Sequence, residues 1–287
     1  MQIDLQIPSR KITLNCKGRL LVLDKPVVMG IINITPDSFF AGSRKTALDE
    51  VQRVAEKMLT DGATILDIGG YSTRPGAIAV PVEEELKRVL PVIEIIHKTF
   101  PEAFLSIDTF RAQVAKQAIE AGAQLVNDIS AGDDDVEMLD LVSKSGVPYI
   151  IMHKRGNPQT MQKQTQYDDV VLEVMNYFTR KVAVLSAAGI HDVVIDPGFG
   201  FAKQKEHNYA LLNALGDFQL FGTPVMAGLS RKQMIRAVTG TDIEHALNGT
   251  TALHTIALIK GADILRVHDV KEAVECIKLV NAVHGNF

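Results

Sequence analysis

The chain has 287 residues, 46% of them hydrophobic and 22% charged, which is enough for a large core and near the upper end for one domain. Its formal charge of -4 leaves no bulk basic surface for nucleic acid, although local basic clusters can still hold phosphate. No apolar stretch approaches the roughly 20 residues that cross a bilayer, and "MQIDLQIPSRK" lacks a signal-peptide core, so a globular, soluble, cytoplasmic protein with no membrane partner is expected.

Residues 1–24 read as a short hairpin extension, with "NCKGRLLV" as a turn into a strand, placed to close the bottom of a barrel formed by the rest of the chain. Residues 25–287 alternate strand-like and helix-like runs. The first strand, 27–33, feeds the loop "TPDSFF", and a helix over 46–60 then places Leu48, Val51, Val54, Ala55 and Met58 on one face. "TDGATILDIGG", "EAGAQLVNDIS" and "IKGADILRVHDV" each end a helix at a glycine suited to the left-handed C-cap and then enter an apolar strand. Further strands are expected at 104–109, 149–153, 193–197 and 225–230, apolar without alternation, as when both faces are covered. Further helices are expected at 82–98, 111–121, 136–144, 167–188, 206–215, 243–260 and 270–283. Eight such pairs predict an α/β fold, a (β/α)8 TIM barrel with a short N-terminal β-hairpin. The competing doubly wound sheet would carry a Gly-rich first turn, and "NITPDSF" is not one. No linker or second domain is visible.

In such barrels the site forms at the C-terminal strand ends. There stand Asn33, Asp108, Asn127, Met152, Asp196, then Ser230-Arg231-Lys232 and Arg266-Val267-His268-Asp269. Asp108, Asn127 and Asp196 suit the donor-rich edge of a flat heterocycle, a carboxylate accepting two parallel N–H bonds from an N–C–N unit, with the soft side chain of Met152 on the ring face. Arg231, Lys232, Arg266 and His268 follow the last two strands, where barrels hold phosphate, and point to an anionic group. Asn33 is an oxygen ligand of the kind Mg2+ accepts when water and phosphate supply the rest. Each residue alone has a plainer reading. Asp108 and Asp269 precede helices as N-caps would, His268 and Met152 suit packing, "SRK" suits a solvated turn, and Asp133-Asp134-Asp135 reads as a solvated run. It is their common phase at successive strand ends that favours a site.

"MGIINITPDSFF", "LDIGGYSTRPGA", "SIDTFRAQVA", "VNDISAG", "IMHKRGNPQTMQ", "IDPGFGF", "AGLSRKQMI" and "ADILRVHDVKEAV" resemble, in order and spacing, the bacterial dihydropteroate synthase family. The resemblance implies a folate-pathway transferase that joins (7,8-dihydropterin-6-yl)methyl diphosphate to 4-aminobenzoate. By that resemblance Asp108, Asn127, Asp196 and Lys232 hold the pterin, while Asn33, Thr73, Arg266 and His268 meet the diphosphate. Asn33 would also be a ligand of Mg2+. Phe39, Thr73, Arg74, Pro75, Phe201 and Lys232 surround the aminobenzoate. Asn33, Lys232, Arg266 and His268 would carry the catalysis, diphosphate leaving before the arylamine attacks, with no protein nucleophile. Phe39 would then be a pocket wall on a lid that excludes water, and a homodimer through outer helices such as 243–260 is expected. A pterin-binding methyltransferase would not need the cations of "SRK" and "RVHD", and a non-catalytic paralogue would not keep Asn33, Arg266 and His268. Two departures stand out: Phe40-Ala41-Gly42-Ser43 lacks the loop carboxylate usual after "TPDSF", and Gln233 stands where Ser is common.

Overall fold

The computed structural model describes residues 11–34, 44–72, 79–156 and 160–285. Strands β1 (Ile12–Cys16) and β2 (Arg19–Leu23) pair antiparallel with Cys16 opposite Arg19. The two residues between them, Lys17 and Gly18, have φ of 53° and 88°, the handedness that a two-residue hairpin turn requires. β1 and β2 alternate outward residues with buried Leu14, Cys16, Leu21 and Leu23.

Among the described residues a second sheet comes next: β3 (Val27–Asn33), β4 (Ile65–Gly69), β5 (Phe104–Asp108), β6 (Leu125–Asp128), β7 (Tyr149–Met152), β8 (Val193–Asp196), β9 (Met226–Ala227) and β10 (Ile264–Val267). Neighbours pair in parallel in the order β8-β7-β6-β5-β4-β3-β10-β9. A parallel bridge between Ile195 and Val225 joins β8 to the β9 edge and closes the ring. Around it run α1 (Arg44–Thr60), α2 (Val82–Thr99), α3 (Ala112–Ala121), α4 (Met138–Ser145), α5 (Val170–Ala187), α6 (Lys205–Asn213), α7 (Gln233–Thr239), α8 (Leu247–Ile259) and α9 (Val270–Val283). This is the expected (β/α)8 barrel with its hairpin.

The strands carry two cores. Outward-facing residues such as Val28, Leu66, Ile107 and Ile151 pack under the helices. Met29, Ile65, Leu125, Ile150, Val194, Met226 and Ile264 turn inward and meet the buried face of the hairpin, which plugs the N-terminal end of the barrel. Burying apolar area at about 25 cal/mol per Å² makes both cores the main source of stability. Three polar contacts pin the hairpin: Asn15 N–H to Asp192 (2.8 Å), Lys17 Nζ to the Ile119 carbonyl (3.0 Å) and Arg19 to the Pro101 and Glu102 carbonyls (2.6 Å each).

Local chemistry explains where expectation and structure part. β9 covers two residues rather than 225–230, because the chain enters a turn in which Lys232 N–H bonds Leu229 C=O (3.2 Å) and Arg231 has φ of 55°. That turn leads into α7, a short helix absent from the sequence reading. α8 starts at Leu247 because Asp242 accepts the His245 N–H (2.8 Å) in a turn of its own, and α5 starts at Val170 because Asp169 caps the Leu172 N–H (3.0 Å). The acidic run is not merely solvated. Asp133 pairs Lys181 and Asp134 pairs Lys154, while Asp135 accepts the Ala112 N–H (2.7 Å) and so caps α3 from the following loop.

Candidate active site

Inward positions recur every second residue along a strand. On β4, β6, β8 and β10 the inward apolar residues Ile65, Leu125, Val194 and Ile264 lie against the hairpin. Two residues further up stand Asp67, Asn127, Asp196 and Arg266. Alternate strands of a barrel contribute one layer of four side chains, and here that layer is polar. The intervening strands add Asn33, Asp108, Met152 and the side-chain-free Gly228. Asn33, Gly69 and Asp108 are in register across β3, β4 and β5. Asn33 Oδ1 and Asp108 Oδ2 lie 3.6 and 3.7 Å from the point where a Gly69 Cβ would stand, so both crowd one spot at the mouth.

The carboxylate and cationic groups, separate in the sequence reading, interlock. Arg266 Nε donates to Asp67 Oδ2 (2.6 Å) and Nη2 to Asp108 Oδ2 (2.6 Å), while Asn127 Nδ2 donates to the same Asp67 oxygen (3.0 Å). Burial pushes the Asp108 carboxyl well up despite Arg266 beside it. Burial works against the Arg266 charge too, but Asp67 and Asp108 outweigh it and hold the guanidinium protonated. Asp67 is fully buried, and its Oδ1 has no hydrogen-bond partner among the described residues. An orphan acceptor at that depth is costly unless a ligand donor reaches it. Neither Asp108 nor Asp269 caps a helix by its side chain: Asp108 takes Arg266, and Asp269 takes a two-pronged pair with Arg231 (2.8 and 2.7 Å). Arg231 is thereby committed to bracing the β9 and β10 loops rather than to an anion.

Around Asp196 the second half of the mouth is built. Asp196 Oδ1 accepts the Gly198 N–H (2.8 Å), and burial raises its pKa against the pull of Lys232. Lys232 Nζ donates to the Phe199 carbonyl and lies 5.1 Å from the centre of the Phe201 ring. Burial lowers the Lys232 pKa to about 8, with Asp196 opposing. Lys232 Nζ and Asp196 Oδ2 each sit 3.7 Å from the place a Gly228 Cβ would fill, so glycine leaves the room both occupy. His268 Nδ1 meets Ser230 Oγ at 3.0 Å, and the His268 N–H donates to the same oxygen (3.2 Å), which fixes the ring at the β10 end. Met152 is buried and shares the inward phase of Ile150.

Asn33, Asp108, Asn127, Met152, Asp196, Phe201, Lys232, Arg266 and His268 thus all stand at the C-terminal mouth. Phe39, Phe40, Ala41, Thr73, Arg74 and Pro75 lie outside the described residues. Sequence reasoning missed Asp67, although its phase gave it away: Ile65-Leu66-Asp67 repeats the apolar-x-polar step of Leu125-Val126-Asn127, Val194-Ile195-Asp196 and Ile264-Leu265-Arg266. Ser230 was also missed as the residue that orients His268.

The family described as pterin binding enzyme matches residues 29–268. The dihydropteroate synthase of Escherichia coli (strain K12) is 44% identical over 268 residues, covering 93% of this chain and 94% of that protein. The dihydropteroate synthase of Bacillus subtilis (strain 168) is 39% identical over 262 residues, covering 91% of this chain and 89% of that one. Among solved structures, Xanthomonas albilineans dihydropteroate synthase with 4-aminobenzoic acid superposes with a TM-score of 0.89 at 42% identity, covering 96% of this chain and 99% of that one. The same enzyme in complex with 7,8-dihydropteroate gives 0.86 at 40% identity, covering 95% and 99%. Sequence, fold and the polar layer of the mouth agree: the chain belongs to the pterin-binding enzyme family and, within it, to the dihydropteroate synthases.

Proposed function

We propose that the mouth joins (7,8-dihydropterin-6-yl)methyl diphosphate to 4-aminobenzoate, releasing 7,8-dihydropteroate and diphosphate, by departure of diphosphate followed by amine attack. The observation that carries this reading is the layer of buried acceptors, Asp67, Asn127 and Asp196, beside the cations Arg266 and Lys232 and the imidazole of His268. The acceptors suit a ring rich in N–H donors, with the free Asp67 Oδ1 and the Asp196 carboxylate as its partners. The C–O bond to diphosphate breaks with its electron pair on oxygen, and the Arg266 guanidinium, with His268 as a hydrogen-bond donor, stabilises that charge. The methylene left on the pterin is cationic, and the carboxylates beneath it stabilise it in a site shielded from water. The amine nitrogen of aminobenzoate then forms the C–N bond and loses its proton to solvent. Neutral arylamine needs no general base for the attack.

Mg2+ fits the donor set. Among the described residues no three His, Cys, Asp or Glu side chains form a metal cluster, and Asn33 offers one amide oxygen beside the Asp108 carboxylate. Such a set suits an ion that keeps waters and takes its remaining ligands from phosphate. Asn33 would hold it, and the ion would neutralise charge on the departing diphosphate oxygens.

Phe201, with Lys232 over its ring, forms the described wall of the aminobenzoate pocket; Phe39, Thr73, Arg74 and Pro75 would complete it. Gln233 opens α7 with its side chain exposed, so exchange of Ser for Gln there leaves the backbone of the pocket in place. The enzyme acts as a homodimer in the cytoplasm. Ile256 and Ile259 on α8 and Leu279 and Val283 on the adjoining α9 are exposed apolar side chains, the latter pair 68% and 77% accessible. A diphosphate ester does not cross a bilayer unaided, so the enzyme works in the compartment that makes it.

The test is direct. Protein, pterin diphosphate, aminobenzoate and Mg2+ are combined and diphosphate is measured; no release above background would sink the reading. Arg266→Met should depress release even without aminobenzoate, whereas Phe201→Ala should raise the KM for aminobenzoate alone. Sedimentation should give a dimer that Leu279→Glu splits.

A further inference from the structure

Lys203 is a buried lysine that the chemistry above does not use. Its Nζ donates to three main-chain carbonyls, His153 (3.1 Å), Gly198 (3.0 Å) and Phe201 (3.1 Å), and meets His153 Nδ1 at 3.0 Å. Three N–H donors thus face four acceptors, and these come from two different loops, one after β7 and one after β8. Burial depresses the His153 pKa to about 2, so its imidazole is neutral and Nδ1 is free to accept.

The chain is shaped around this amino group, whose pKa burial lowers to about 7 against the pull of Asp196. Gly198, Gly200 and Ala202 all have positive φ, at 76°, 82° and 50°, which curls the segment 198–202 back over its own lysine. A Cβ on Gly198 would stand 2.1 Å from the His153 carbonyl, so the two loops touch with no room for a side chain. Asn208 secures the far side, its Oδ1 accepting the Gly200 N–H (2.6 Å). What the curl presents outward is functional: the Phe199 carbonyl that Lys232 bonds, and the Phe201 ring that Lys232 overlies. Three carbonyls of two loops converge on one amino group, so the aim of Phe201, whose own carbonyl is one of them, depends on that group.

We propose that Lys203 is a positioning residue that sets the aminobenzoate pocket by clamping the β8 loop, acting through Phe201 without touching substrate. The proposal rests on the reading of Phe201 as a wall of that pocket.

Steady-state assays on Lys203→Met, Phe201→Ala and the double variant test it. Lys203→Met should raise the KM for aminobenzoate about 10-fold, and leave the KM for pterin diphosphate and the diphosphate release seen without aminobenzoate within about 2-fold. Because it acts largely through Phe201, its effect should shrink to less than about 3-fold in the Phe201→Ala background. Lys203→Gln, which keeps N–H donors near the carbonyls, should restore part of the affinity, and it carries the same measurement if the Met variant does not fold. Equal loss for both substrates, full additivity with Phe201→Ala, or an unchanged aminobenzoate KM would overturn the proposal. An unchanged aminobenzoate KM in Phe201→Ala alone would instead remove the reading of the pocket wall on which it stands.

Discussion

The lower and upper halves of the barrel interior are built by the same strands in the same inward phase, yet they do opposite things. At the bottom Ile65, Leu125, Val194 and Ile264 meet the hairpin in an apolar plug; two residues higher stand the buried Asp67, Asn127 and Asp196 and the half-buried Arg266. One step of the pleat, roughly 7 Å along a strand, separates a layer that contributes stability from one that costs it. The plug is what permits the charges: a scaffold that packs well at one end can carry buried carboxylates at the other.

The sharpest way to break this contrast is to move a charge down one step. Val194→Asp places a carboxylate where no donor waits, and should cost about 4 kcal/mol or more of unfolding free energy. The urea midpoint reads it; a loss below about 1 kcal/mol would mean that the lower layer admits water and the contrast is false.

Within the upper layer the charges should be interdependent. Asp67→Asn keeps shape but leaves Arg266 with Asp108 alone, and should cost about 3 kcal/mol of stability together with about 100-fold in diphosphate release, since the guanidinium loses its aim. Wild-type stability and turnover in this variant would make Asp67 a spectator. At the plug the two effects should separate. Leu14→Ala in the hairpin should cost about 2–3 kcal/mol through the cavity it opens, with kcat and both KM values unchanged. A change in turnover there would show that the hairpin reaches the chemistry.

The contrast also marks what could be read in the sequence. The barrel was legible because a helix, a glycine and an apolar strand recur, and Gly62, Gly122 and Gly261 do take positive φ. Asp108, Asn127, Asp196 and Arg266 were legible because each ends an apolar run. Asp67 has no assigned role in the sequence reading, because it sits inside its run, before Ile68-Gly69-Gly70, and the "GGYSTRPG" that follows draws the reading away from it. The pairing of Arg266 with Asp67 and Asp108 was not legible either, since it joins residues 199 and 158 apart in sequence. The shortness of β9 came from a backbone turn at Arg231, and no side-chain pattern encodes that. Lys203 carries no signal in the sequence, because nothing in its neighbours announces that three carbonyls converge on it.

The smallest effect expected is a titration, and it tests whether the upper layer behaves as a low-dielectric site. Burial lowers Lys232 to about 8, so its ammonium is lost as pH rises through that value, well before an exposed lysine would lose its own. If the cation over Phe201 helps to bind aminobenzoate, kcat/KM for that substrate should fall by up to about 10-fold per pH unit on the alkaline side of pH 8. The contribution of Lys232 to stability runs the other way. Above its folded pKa the native state holds fewer protons there than the unfolded chain, so that contribution rises with pH and unfolding does not account for the lost activity. Lys232→Arg should move the alkaline limb out of range, because a guanidinium stays charged, even though its fork fits the Phe199 carbonyl less well and lowers the maximum rate. A limb near 8 that persists in the Arg variant would assign the titration to another group and leave Lys232 as a packing residue of the mouth.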